Sequence, residues 1–289
     1  MKILIVGATG LLGSNLYAEL SKKFFVIGTY FSKKVERLLY CDTDIETLND
    51  ICIKYEIDTI INCAGLANVE ECEKFPERAW QLNAKWVNDL ALFAHVNGIK
   101  LVHISTDHFQ SNEGEKRNES CVFFPVNQYG YSKYAGEKFC ILQAPNSLIL
   151  RINFIGLNRF GFEDKSLLSF FVSKLKSREE IHGFTDVYFN PVSAIYIARA
   201  VEELLISRQM GFHHVGASEC VSKFDFGLKL AHQLGVDNPS MREGRISWIS
   251  GLVKRPEMLC LESIKLAQFI ELQDVNTAIK EALELSHII

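Results

Sequence analysis

Near its start the chain reads K-I-L-I-V and then G-A-T-G-L-L-G, so that Gly7, Gly10 and Gly13 follow a short apolar run and open a stretch with helical spacing. A continuous apolar run of this length suits a strand buried on both faces. A glycine turn from such a strand into a helix leaves backbone N–H groups free at the positive end of the helix dipole, where a phosphate can bind. One glycine makes the bend, a second lets the backbone approach a pyrophosphate, and a third permits close helix–strand packing. Gly7, Gly10, Leu11, Leu12 and Gly13 are therefore candidate dinucleotide-binding residues.

The rest of the first half keeps the same rhythm. "FFVIGTY", "DTIINCAG", "KLVHISTD" and "SLILRINFIG" read as strands. Between them "LLGSNLYAEL", "IETLNDICIKY", "PERAWQLNAKWVNDLALFAHVNG" and "YGYSKYAGEKFCILQ" read as helices. This βαβα order predicts a doubly wound parallel sheet of Rossmann type. After Gly156 the rhythm changes, and the tail from Asp237 onward is less regular. The expected division is a nucleotide-binding domain over residues 1–155, also receiving part of 185–210, and a smaller C-terminal α/β substrate-binding region over 156–289.

Composition narrows the function classes. With 289 residues, 48% hydrophobic, the chain can bury a large core and is not expected to be disordered. Net charge is 31 − 35 = −4 with no long basic block, which argues against a nucleic-acid or membrane partner. No apolar run of transmembrane length and no signal-peptide pattern is present, and the eight cysteines form neither a C-x-x-C pair nor a zinc-spaced cluster. They read as reduced thiols in a cytoplasmic protein with no bound metal.

The second strand ends G-T-Y-F-S-K-K, without the acidic residue that usually holds the ribose hydroxyls of NAD. A 2′-phosphate would be drawn to these lysines, so Tyr30, Ser32 and Lys33 predict NADP(H) in preference to NAD(H).

"NQYGYSKYAGEK" holds two tyrosines, Tyr129 and Tyr134, each four residues before a lysine, Lys133 and Lys138. At about 100° per residue each pair lies about 40° apart on one helix face. Tyr131 is two residues from Lys133 and points away. A free phenol titrates near about 10, and an ammonium at ~4 Å can lower it by roughly three units. Either pair could thus exchange protons near neutral pH.

Taken together, "GATGLLG", "NCAGLANVEECEKFPERAWQLNA", "HISTDH", "YGYSKYAGEK", "LRINFIG" and "RPEMLCLESIKL" resemble an extended short-chain dehydrogenase/reductase, most closely the dTDP-4-dehydrorhamnose reductase branch. The resemblance spans nearly the whole chain. It implies the first pair, because only Tyr129, Lys133, Gly136 and Glu137 match the family's Tyr, three residues, Lys, two residues, Gly-Glu. Tyr129 would be the proton donor. Lys133 would hold the nicotinamide ribose and depress the Tyr129 pKa, and Thr106 would bond the carbonyl oxygen. Ser105 is the adjacent alternative, since only one of two neighbouring strand residues can face the site. Asn62, Cys63, Ala64, Gly65 and Asn83 would lie along the cofactor, as would Asp42 near the adenine. Asp107, His108, Asn153 and Arg255 would face the substrate, Arg255 as a candidate diphosphate contact. Arg151 would be structural, as would His182, His213 and His214.

The implied activity is NADPH-dependent reduction of a 4-keto group on a nucleotide-linked deoxysugar, with a homodimer one assembly open to it. After S-T-D, where the branch commonly has Tyr-Val-Phe-Asp-Gly, this chain has His108, Phe109, Gln110, Ser111 and Asn112. That loop borders the substrate, so the particular sugar is not carried over with the motif. Two rival readings remain: a nucleotide-sugar epimerase/reductase, and a non-catalytic NADP-binding subunit resembling the regulatory subunit of methionine adenosyltransferase.

Overall fold

The structure is a computed structural model that describes residues 1–111, 117–163 and 166–284. Asn112 of the substrate-side loop lies outside them. Its centre is a sheet built from β1 (Lys2–Val6), β2 (Phe25–Tyr30), β3 (Leu39–Tyr40), β4 (Thr59–Asn62), β5 (Lys100–Ile104), β8 (Leu148–Ile152) and β13 (Gly211–Val215). The order across it is β13-β8-β5-β4-β1-β2-β3, and every neighbouring pair is parallel. Strands covered on both faces are mostly apolar along their length. All four residues of β4 and all five of β8 are buried.

Helices cover both faces. On one face α1 (Leu11–Leu20) packs against α8 (Ala194–Ile206). On the other lie α2 (Ile45–Tyr55), α5 (Trp86–Val96) and α6 (Gln128–Gln143), which enclose a second apolar cluster with Leu4, Ile60 and Ile149. The long helix expected over 76–98 is interrupted. α3 (Val69–Lys74) and α4 (Pro76–Trp80) precede a π-helical turn at Gln81–Lys85, which runs into α5. Such turns are uncommon and often sit at functional sites.

The glycine turn has the expected form. Gly7 adopts φ +80°, and a Cβ there would stand 2.8 Å from the Ala64 amide nitrogen. A Cβ on Gly13 would stand 2.3 Å from the Gly7 carbonyl oxygen, so α1 reaches the sheet only through glycine. Gly10 is the N-cap of α1 and supplies no side-chain cap, which leaves the first-turn amides open.

Past β8 the chain leaves the central sheet at Asn153. β9 (Phe154–Ile155) pairs with β12 (Val192–Ser193) instead. The remaining pairs are β6 (Gln110–Ser111) with β7 (Phe123–Phe124), β10 (Ile181–Phe184) with β15 (Met241–Gly244), and β11 (Tyr188–Phe189) with β14 (Val221–Ser222). The β10–β15 and β11–β14 pairs pack on α9 (Lys223–Gln233), which contacts α7 (Leu167–Ser177) and α10 (Val275–Glu284), whereas β7 packs on α6. Two features depart from the sequence reading. β13 joins the central sheet beside β8, and the tail closes with a regular helix, α10, packed on α8 and α9.

The cysteine reading needs correction. Cys220 and Cys260 are disulfide-bonded, with Cα atoms 5.8 Å apart across a separation of 40 residues. The chain around Cys260 comes back to this place because Tyr188, on β11, bridges Met258. The six other cysteines are free. The argument for a cytoplasmic location from uniformly reduced thiols falls with this pairing. Among the described residues no helix is long and apolar enough to cross a membrane.

Candidate active site

The carboxyl ends of β1, β4, β5 and β8 open into a cleft of about 1010 Å³ whose far wall comes from the C-terminal region. This is where ligands bind in open parallel sheets. The cleft gathers Gly10, Leu11, Leu12, Gly13, Cys63, Ala64, Gly65 and Asn83 along the sheet side. Thr106, Asp107, His108, Tyr129, Lys133, Asn153 and Arg255 surround its deeper part.

The sheet side is held by buried amides. Asn62 accepts from the Ala64 amide at 3.3 Å. From the π-helical turn, Asn83 accepts from the Leu66 amide at 2.8 Å and donates to the Leu66 carbonyl at 2.9 Å and to the Ser132 hydroxyl at 3.0 Å. Asn83 thus fixes the loop after β4 and ties it to α6.

Helix α6 carries the tyrosine and lysine. Asn127 caps it by accepting from the Gly130 amide at 2.8 Å and donates to the Lys254 carbonyl at 2.8 Å, linking the helix start to the C-terminal region. Tyr129 and Lys133 both line the cleft, whereas Tyr131 is 54% exposed. Tyr134 packs edge-on against Phe109, and the Lys138 ammonium sits over the Tyr134 ring, so the second pair lies outside the cleft. Ser105 and Thr106 both line the cleft, but their hydroxyls have different partners. The Thr106 hydroxyl donates to the Asp107 carboxylate at 3.2 Å and accepts from the His108 amide at 3.1 Å. Ser105 donates to Glu137 at 2.6 Å, and Glu137 is held by Arg151 through two bonds of 2.9 and 2.8 Å, a buried pair that makes Arg151 structural as expected.

The electrostatics depart from expectation at the phenol. Burial raises the Tyr129 pKa well above its ordinary value, and a hydrogen bond with Thr106 pulls it back only in part. Lys133 instead donates to the Ile104 carbonyl at 2.7 Å. Burial lowers its own pKa to about 8, against the upward pull of Glu137. The expected depression of Tyr129 by Lys133 is not found: burial dominates, and the groups acting on the phenol are Thr106, Asp107 and Cys72.

Asp107 accepts from the Asn153 amide at 2.5 Å. Burial raises its pKa while Arg117 and Lys223 draw it down. His108 meets the Tyr129 ring edge-on at 5.5 Å between centroids, and burial followed by Arg255 lowers its pKa to about 4. The imidazole is thus neutral near pH 7. Arg255, on the cleft wall, is ion-paired with Glu70 of α3.

Tyr30, Ser32, Lys33 and Asp42 stand apart from the cleft, at the ends of β2 and β3. Ser32, Lys33 and Asp42 are exposed there, with the Lys33 ammonium 4.9 Å from the Phe162 ring centre. His182, read as structural, is a cleft residue. His213 and His214 are buried in β13.

Sequence reasoning missed Lys223, which lines the cleft 3.2 Å from the centre of the Phe189 ring. Burial lowers its pKa and Asp107 raises it. One signal was available. Ser222 caps α9 by accepting from the Asp225 amide, and this places a lysine on the first helical residue, where the dipole disfavours a cation.

An open parallel sheet, an uncapped helix start beside it and a Thr–Tyr–Lys set in one cleft define the class: an oxidoreductase on a dinucleotide-binding α/β fold. The chain belongs to the family described as RmlD substrate binding domain, whose model matches residues 1–287. A curated relative is the probable low-salt glycan biosynthesis reductase Agl14 of Haloferax volcanii, 30% identical over 91% of this chain and 90% of that one. Among solved structures, a dTDP-4-dehydrorhamnose reductase from Clostridium acetobutylicum matches with TM-score 0.87 at 25% identity, covering 99% of this chain and 100% of that one. The dTDP-4-dehydrorhamnose reductase of Bacillus anthracis, solved in complex with NADP, matches with TM-score 0.86 at 24% identity over 98% and 99% of the two chains.

Proposed function

We propose that this protein reduces the 4-keto group of a nucleotide-linked deoxysugar with NADPH. The observation that supports this most directly is the convergence of Thr106, Tyr129 and Lys133 in the cleft that the glycine turn opens into. The residues fit a dinucleotide. The first turn of α1 has no side-chain cap, and its amides would hold a pyrophosphate. When bound, the nicotinamide supplies a hydride to the sugar carbonyl carbon. Tyr129 protonates the carbonyl oxygen, and the Thr106 hydroxyl stabilises the charge that develops there. Lys133 stands four residues along the same helix, where its ammonium would bond the nicotinamide ribose. Asp107 and Asn153 would orient the sugar hydroxyls, and Arg255 would leave Glu70 for the diphosphate.

NADP(H) is favoured over NAD(H) by Ser32 and Lys33 at the end of β2, where no carboxylate follows directly. The exposed Arg37, stacked 4.9 Å from the Phe160 ring centre, adds a further cation at this edge. A homodimer would use the outer face of α4 and α6, where exposed Trp80 meets Phe139 edge-on.

The test is NADPH oxidation against a panel of 4-keto nucleotide sugars. Turnover of at least one member, without exchange of substrate C–H for solvent deuterium, supports the reductase. Deuterium incorporation at the neighbouring carbons supports the epimerase/reductase. Tight NADPH binding with no oxidation on any member rejects both in favour of a binding subunit.

A further inference from the structure

Arg117 sits in the charged stretch K-R-N-E, which looks like a solvated loop. In the structure it is 1% exposed, among the largest fully buried side chains. Its guanidinium donates through Nη1 to the Phe109 carbonyl at 2.6 Å, through Nη2 to the Asp107 carbonyl at 2.7 Å, and through Nε to the Cys260 carbonyl at 3.0 Å. The plane also lies 5.0 Å from the Phe123 ring centre. Asp107 and Phe109 flank His108, so one rigid fork grips both carbonyls of the turn that follows Thr106. The turn is closed from inside by the Phe109 amide on the Asp107 carbonyl at 2.7 Å and the His108 amide on the Thr106 hydroxyl at 3.1 Å.

On its other side Arg117 is anchored to the C-terminal wall. Its amide donates to the Glu262 carboxylate at 3.2 Å, and the Glu262 amide returns to the Arg117 carbonyl at 3.1 Å. Cys260 is in turn bonded to Cys220, three residues before Lys223. One continuous path of bonds therefore joins the turn carrying Thr106, Asp107 and His108 to the opposite wall of the cleft. Burying a guanidinium against neutral carbonyls is costly, and packing alone would be served better by an apolar side chain. What the guanidinium adds is directional: three donors at fixed angles.

We propose that Arg117 is a positioning residue, whose fork locks the Thr106–His108 turn to the Cys260 segment and so sets the Thr106 hydroxyl against the Tyr129 phenol. Its effect on turnover rests on the reductase reading, whereas the brace itself does not. Small misplacements of a reacting group are enough to cost about 100-fold in rate.

The test compares full-length wild type, Arg117→Lys and Arg117→Met by amide hydrogen exchange, NADPH titration and turnover of the 4-keto sugar that wild type reduces. In Arg117→Met the His108, Phe109 and Glu262 amides should lose protection while those of Ile5 and Ile61 keep theirs. Turnover per bound NADPH should fall about 10- to 100-fold with NADPH affinity within about twofold. Arg117→Lys should fall between the two, since an ammonium keeps the charge but not the fork. Should Arg117→Met fail to fold, Arg117→Lys carries the same expectations at smaller size. Wild-type exchange at His108 and Phe109 in the variants that fold would overturn the brace. Full turnover per bound NADPH would overturn its role in positioning. If wild type reduces no keto sugar, the reductase reading fails separately and the exchange data still decide the brace.

Discussion

Two acid–base pairs lie close together in this molecule and are put to different uses. Glu137 and Arg151 are 0% and 6% exposed at their side chains, and two hydrogen bonds join them directly, with Ser105 completing the carboxylate. Asp107 and Lys223 influence one another across the cleft, yet each side chain has another partner: Asn153 for the carboxylate and the Phe189 ring for the ammonium. The first pair is closed and dry. The second faces the space where a substrate would sit and leaves bonding capacity free. Burial on its own therefore does not mark a functional charge. A charge whose partner is held apart, on the wall of a cleft, is the more telling sign.

The largest expected effect falls on the closed pair. Glu137→Leu strands the Arg151 guanidinium in the core, so urea denaturation should show a loss of about 3–5 kcal/mol. The open pair should behave in the opposite sense. Lys223→Met removes a half-buried ammonium whose desolvation is unfavourable, so stability should change by no more than about 1 kcal/mol, while kcat/KM should fall about tenfold or more. A large stability loss in Lys223→Met with unaltered kcat/KM would erase the distinction between the pairs.

Lys133 sharpens the same contrast through pH. Its folded pKa is about 8, below the ordinary 10.5, so between those values the unfolded chain binds more protons than the folded one. Stability contributed through Lys133 should then rise as pH climbs through this window, read as the difference between wild type and Lys133→Met. Activity should move the other way, because the ammonium is lost as pH passes about 8. Parallel decline of both would mean that the charge is structural. The smallest effect belongs at the exposed end of β2, the proposed place of the 2′-phosphate. Lys33→Ala should weaken NADPH binding by about 1 kcal/mol and leave NADH binding unchanged, measured by titration.

What could be read from the sequence follows the same division. The glycine turn and the alternation through β8 depend on residues within a few positions of one another, and they were legible, whereas helical spacing left two tyrosine–lysine pairs open and only the family resemblance pointed to Tyr129 and Lys133. The two-residue β3 is too short to show a period, and "GFHHVGA" carried no mark of which sheet it would join. Arg117 finds its side-chain partners 8, 10 and 143 residues away, and Cys220 meets Cys260 across 40, so no local pattern revealed them. The pKa argument for Tyr129 rested on the Lys133 ammonium and lacked the burial, which dominates there beside Thr106, Asp107 and Cys72.

The central claim is that one phenol, Tyr129, delivers the proton. Tyr129→Phe removes a single oxygen from a ring that packs edge-on with His108, so NADPH binding should be retained. The direct measurement is single-turnover NADPH oxidation by this variant with the 4-keto nucleotide sugar that wild type accepts. A rate reduced about 100-fold or more, with NADPH affinity unchanged, is the expected result. Oxidation at the wild-type rate would contradict the assignment.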